Sequence, residues 1–231
     1  MSRLPHVPQT RVLTAWRRTA LLLPSVLLAL AMMAAMVREP LADKGQEAAD
    51  FVRGFSDQAI AMLTDESLDQ EARIGKFRRL LTSGFHLEVI GRFVLGRHWR
   101  RASEAERAEF AQLFEDYLVD SYAQKLGEYG GEQLVVHGGR PKGKSGAIVS
   151  SRVVPPEGAP FQVEWRLRRA STGWRIIDVV VEGVSMAVTH RSEFSSVIAS
   201  RGGNVGGLLD ALRSQIERPN AVAAAGSDEA S

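Results

Sequence analysis

The sequence predicts an α+β fold, an antiparallel sheet with helices packed over one face, on three observations. Apolar residues recur at three-and-four spacing from Gln46 to about Glu128. The period then drops to two between Leu134 and Glu182. Helical spacing returns from Met186 to Ile216. Helices, then a meander, then helices, is the order of an α+β domain and not of alternating βαβ units.

Taken in order, Phe51, Val52, Phe55, Ala59, Met62 and Leu63 form one stripe of a first helix, Gln46 to Leu63, broken by Asp65 to Ser67. A second helix follows Ser67, whose hydroxyl with Gln70 makes a capping-box signature, and Leu68, Ala72, Phe77, Leu80 and Leu81 give it an apolar side. A third covers Leu87 to Leu95 and stops at Gly96. The fourth opens on a second capping box, Ser103 with Glu106, carries Phe110, Leu113, Phe114, Tyr117, Leu118 and Tyr122 along one side, and ends near Gly130-Gly131. Four strands follow: Leu134 to His137, Ala147 to Val154, Phe161 to Arg169 and Trp174 to Glu182. Pro155-Pro156-Glu157-Gly158 and Ser171-Thr172-Gly173 make the hairpin loops. In the third strand Phe161, Val163, Trp165 and Leu167 alternate with Gln162, Glu164, Arg166 and Arg168, the pattern of a sheet dry on one face and wet on the other. Helices over Met186 to Ala199 and Leu208 to Ile216 complete a set of about six. From Pro219 the chain turns small and polar, so residues 218–231 are expected to be a disordered tail.

Composition narrows the function classes. With 45% hydrophobic and 24% charged residues, the 231-residue chain can bury a core. The net charge of +2 is unevenly spread: five arginines and one acid precede Asp43, leaving 24 basic against 26 acidic residues beyond. A basic leader on an acidic domain is not the basic face that nucleic-acid binding needs. Having no cysteine, the chain offers no disulfide, thiolate metal site or Cys nucleophile, and the histidines after His6 lack His-x-x-x-His spacing. Four arginines within residues 1–19, followed by an uncharged apolar run from Ala20 to Val37, read as an export signal over residues 1–42, with cleavage or retention as an anchor both open. The domain proper is then 43–217 and its expected destination the periplasm.

Three motifs invite catalytic readings. Gly138 to Ser145 spells G-x-x-x-x-G-K-S, but a phosphate loop must open a helix, and Gly146 to Val154 alternates as a strand; a solvated loop is expected. Gly183-Val184-Ser185-Met186-Ala187 resembles a nucleophile elbow, yet no acid-then-histidine order follows it, which makes Ser185 a helix cap. Asp178 and Glu182, four residues apart on one strand, lie about 13 Å apart at ~3.3 Å per residue, too far to act on one atom. Asp178 or His190 could serve as the base of a small enzyme, although a hydrogen bond to backbone or arginine is the commoner role of such an acid. What remains is a large quantity of bulky apolar surface, which periodicity alone cannot assign to a filled core or to a cavity.

The stretches Phe93-Val94-Leu95-Gly96-Arg97-His98-Trp99-Arg100, Phe110-Ala111-Gln112-Leu113-Phe114, Trp174 to Met186 and Arg191-Ser192-Glu193-Phe194 closely resemble the MlaC, or toluene-tolerance, family over about residues 45–217. His98 stands where an aromatic residue is more usual. The resemblance implies a four-stranded NTF2- or cystatin-like sheet wrapped by helices, acyl chains held between them, and no enzyme activity or cofactor. It also implies a periplasmic carrier of glycerophospholipid, working between an inner-membrane ABC transporter with its MCE-domain partner and an outer-membrane lipoprotein complex. The physics agrees: at about 0.8 kcal/mol per methylene, a sixteen-carbon chain crossing water unshielded would cost roughly 12 kcal/mol. On this reading Phe110, Leu113, Phe114, Tyr117, Val163 and Trp165 are the leading candidates for cavity walls, followed by Val94, Leu95, Ile177, Val179, Val181, Met186 and Phe194. Arg97 and Arg100 are candidates for a headgroup or an acidic partner. A hopanoid or sterol-like cargo, a small enzyme and a ligand-free docking module are the rival readings.

Overall fold

A computed structural model of the chain describes residues 44–123 and 128–228. The export signal expected over residues 1–42 lies outside the described residues. A first helix, α1, covers residues 44–63. It is followed by α2 (Gln70–Gly84), α3 (Leu87–Leu95), a 3-10 turn (Gly96–Arg100) and α4 (Glu104–Ala123). The sheet contains β1 (Gln133–Lys142), β2 (Gly146–Val154), β3 (Phe161–Ala170), β4 (Gly173–Val181) and the two-residue β5 (Val184–Ser185), and α5 (Met186–Ser200) and α6 (Val205–Asp228) close the chain. The strands pair antiparallel in the order β1-β2-β3-β4-β5. The fold is the expected α+β one with a fifth strand added, because the chain turns back on β4 before α5 begins.

Local chemistry explains most of the boundaries. The Ser103–Glu106 capping box forms: the Ser103 amide donates to Glu106 Oε2 at 2.8 Å and the Glu106 amide to Ser103 Oγ at 3.2 Å. At α2 the cap is Asp69 and not Ser67. Asp69 Oδ1 accepts from the Ala72 amide at 2.7 Å, while Ser67 is drawn back to the Asp65 carboxylate by its amide and its hydroxyl. Ser185 caps α5 as predicted, accepting from the Val188 amide at 3.1 Å. β4 ends at Val181; Glu182 turns out of the strand with φ 47° and its carboxylate accepts from the Gln162 amide. The last helix runs beyond Pro219 to Asp228, over the tail expected to be disordered; the alanine-rich stretch 221–225 favours helix.

The G-x-x-x-x-G-K-S segment is neither a phosphate loop nor a plain loop. Gly138 to Lys142 extend β1, and Gly143 to Ser145 make the turn into β2. Gly139 has a packing reason. A Cβ there would lie 2.1 Å from the Gly45 carbonyl oxygen, and one on Gly45 2.4 Å from that of Gly139, so the first turn of α1 rests on β1 through two side-chain-free backbones.

Two apolar clusters result. The first turns of α1 bury Ala48, Ala49 and Val52 against Ala147, Val149, Leu167, Trp174 and Ile176 of the sheet. Arg169 pairs with Glu47 at the margin, and Trp174 Nε1 donates to the same carboxylate at 3.3 Å. The larger cluster lies among α2 to α6 and is centred on Phe110, Phe114 and Phe194, whose rings stack or meet edge-on with centroids 5.5 to 6.1 Å apart. Arg78 ties α2 to α4 through Glu115 and Asp116 at 2.8 and 2.7 Å, and Arg213 ties α6 to α4 through Glu109 at 2.8 Å.

Candidate functional site: an apolar cavity between sheet and helices

Between the two clusters the chain leaves a cavity of about 690 Å³, within the range of small-molecule and cofactor sites. The second half of α1 (Phe55, Ala59, Met62, Leu63) and α2 (Phe77, Leu80, Leu81) line it. So do Phe114, Leu118 and Tyr122 of α4, Phe161 and Trp165 of β3, Ile177, Val179 and Val181 of β4, and Met186, Ala187 and His190 of α5.

A break in sheet register shapes the wall. Arg166 pairs with Asp178 but Leu167 pairs with Ile176, so Ile177 has no cross-strand partner. This bulge lets Ile176 and Val179, an odd number of residues apart, pack against the same apolar cluster. Trp165, opposite Val179, is held by its indole N–H, which donates to the buried Ser151 Oγ at 2.9 Å; that hydroxyl donates to the Val163 carbonyl at 3.0 Å.

The carboxylate and imidazole side chains among the lining residues are Glu128, Glu132, Asp178 and His190. No Lys or Arg lines the cavity among the described residues. Asp178 is fully engaged: Oδ2 accepts from Ser185 Oγ at 2.7 Å and from Arg166 at 3.0 Å, and Oδ1 from the Ala187 amide at 3.1 Å. His190 Nδ1 lies 3.1 Å from Glu193 Oε2. Ser185 therefore gives its proton to Asp178 and its lone pair to the Val188 amide, and the serine–histidine contact of a nucleophile elbow is not formed. Burial, and then the Glu193 carboxylate, push the Tyr122 and Tyr117 phenols above their ordinary range, so both stay neutral. The arrangement can enclose a long apolar group; among the described lining residues none is an activated nucleophile.

Of the predicted walls, Phe114, Trp165, Ile177, Val179, Val181 and Met186 line the cavity. Val94, Leu95, Phe110 and Phe194 do not: they are buried in the helical cluster, and Leu113 and Tyr117 pack against its edge. Val163 is buried on β3 without lining the cavity, its carbonyl anchoring Ser151. The correction has one cause. α3, α5 and α6 close over part of the α4 stripe, so Phe110 and Leu113 pack in the helical cluster while Phe114, Leu118 and Tyr122 of the same helix reach the cavity. Arg97 and Arg100 also stand apart from the cavity, on the exposed side of the 3-10 turn, with Arg97 Nε donating to His98 Nε2 at 3.3 Å. Sequence reasoning found the stripes of α1 and α2 but did not assign Phe55, Met62, Phe77 or Leu80 to the cavity, since a stripe does not say whether its partner is protein or empty space. Tyr129 and Glu132 gave no signal.

A family model described as "MlaC protein" matches residues 53–214. The toluene tolerance protein ttg2D of Pseudomonas putida is 20% identical over 127 residues, covering 55% of this chain and 59% of that protein. The intermembrane phospholipid transport system binding protein MlaC of Haemophilus influenzae is 29% identical over 105 residues, covering 44% and 49%. The matches thus span about half the length of these relatives. Among solved structures, a phospholipid-binding protein from Ralstonia solanacearum in complex with a phospholipid superposes with a TM-score of 0.66 at 21% identity, covering 74% of this chain and 98% of that one.

Proposed function

We propose, from the premise that this chain belongs to the MlaC family, that it binds a phospholipid and carries it between membranes. The acyl chains occupy the cavity between β3–β4 and the helices α1, α2 and α4. The headgroup stays near solvent. The carrier works in the periplasm, taking or giving lipid at an inner-membrane ABC transporter with its MCE-domain protein and at an outer-membrane lipoprotein complex, and it does so by docking without chemistry.

The observation that carries this reading is the cavity itself: about 690 Å³, walled by aromatic and branched aliphatic side chains, with its one deeply buried acid already committed to three hydrogen bonds. Each methylene withdrawn from water contributes about 0.8 kcal/mol, so such a space holds acyl chains without a charged anchor. The names of the Haemophilus and Ralstonia relatives point the same way. Among the described residues no helix is long and apolar enough to cross a membrane.

The test is mass spectrometry of organic extracts from the purified full chain. The reading expects a glycerophospholipid at near-stoichiometric ratio. A hopanoid or sterol-like cargo, or an empty protein that takes up no phospholipid from vesicles, would overturn it.

A further inference from the structure

The described surface exposes four large hydrophobic side chains most fully, Phe93, Val135, Val184 and Val188, and three of them belong to one neighbourhood. Val188 and Arg191 share a face of α5 one turn apart. The Arg191 guanidinium lies 5.1 Å over the Phe93 ring of α3, against which α5 packs, and comes within about 3 Å of where a Cβ on Gly96 would be. Val184 sits just ahead of the helix. Basic residues crowd the same corner: four of the ten residues from Arg92 to Arg101 are arginine and none is acidic. None of these four, nor Arg191, forms an ion pair among the described residues. The acid nearest in sequence to Arg191, Glu193, is turned to His190.

We infer that Phe93, Val188 and Arg191, with Arg92 and Arg97 beside them, form a docking surface for a protein partner that presents carboxylates around an apolar contact. An arginine stacked on an aromatic ring is held ready for bidentate carboxylate recognition, and such a pair is the composition of an interface hot spot. A bilayer fits less well: the chain beyond the leader carries 24 basic against 26 acidic residues, so an anionic membrane does not attract the domain as a whole, whereas a local carboxylate patch attracts this one corner. The placement is also useful for transfer. Met186, Ala187 and His190 of α5 line the cavity, so a partner seated on Val188 and Arg191 bears on the helix that forms one of its walls.

The inference rests on the carrier reading, and its test separates the two. The probe is the purified soluble domain of the MCE-domain protein from the same organism, with vesicles containing anionic lipid in parallel. The full chain should bind the probe with an affinity that falls as salt rises. Arg191→Glu and Phe93→Ser should each weaken binding by about tenfold or more, Arg191→Lys by less, and all three should keep wild-type lipid content. Variants that bind the probe like the parent overturn the docking surface and leave the carrier reading standing. Loss of binding to vesicles but not to the probe overturns it in favour of a membrane. A parent chain that carries lipid yet does not bind the probe overturns the assigned partner chemistry, and one that carries no lipid overturns the carrier reading itself.

Discussion

The Ser185 hydroxyl donates to the Asp178 carboxylate at 2.7 Å, joining the end of the sheet to the first turn of α5. The same carboxylate receives the Ala187 amide and Arg166. The residue that looks most like a catalytic acid is thus a clamp that holds a cavity wall in place.

Removing that clamp has a predictable cost. Asp178→Ala strips the charge-assisted hydrogen bonds from a buried position and should lower stability by roughly 2–3 kcal/mol in denaturant titrations. It should also speed lipid release, because Met186 and His190 are carried by the helix it anchors. An unchanged release rate in the folded variant would assign the clamp to stability alone.

Val179 lines the cavity opposite Trp165 and is only partly buried at the edge of the α1–sheet cluster, so on the carrier reading a charge there would meet the acyl chains. Val179→Asp should leave the far-ultraviolet circular dichroism spectrum intact and abolish lipid co-purification. Retained lipid in that variant would move the acyl chains elsewhere.

Phe110 supplies the contrast. It is fully buried, stacks on Phe114 and lies where a Cβ on Gly91 would be 3.2 Å from its ring, yet it does not touch the cavity. Phe110→Ala should cost about 3–5 kcal/mol of stability, while the fraction that folds carries lipid as before.

His98 gives a pH dependence. Burial, and then the nearby Arg97 and Arg101 charges, hold its imidazole below the ordinary value of 6.5. The folded chain therefore binds the proton less readily than the unfolded chain. The contribution is complete above that value and declines as the pH falls through 6.5 toward the lower folded value. Unfolding midpoints measured from pH 7.5 down to 5 should decline in the parent chain and decline less in His98→Phe, which cannot titrate. Equal declines in both would assign the effect to another group.

How much of this was legible in the sequence follows from what periodicity can encode. The α4 capping box, the stop at Gly96, the alternation along β3 and the Ser185 cap are local chemistry, and they form where the sequence places them. The bulge at Ile177 was not legible, because Ile176-Ile177-Asp178-Val179 breaks strict alternation without saying where the extra residue goes. The cavity walls were half legible for a related reason. Val179 and Trp165 declare an apolar sheet face, but whether Phe110 or Phe55 stands across the void depends on which helices close over α4, and that is decided by tertiary packing.

The central claim, that acyl chains lie against the sheet inside the cavity, is tested most directly with phospholipid brominated along its acyl chains. In a chain whose Trp16, Trp99 and Trp174 are replaced by Phe, the remaining Trp165 lines the cavity. Its fluorescence should be strongly quenched when the brominated lipid is loaded, while a chain retaining only Trp99 is quenched far less. Trp165 emission unaffected by bound brominated lipid would contradict the account.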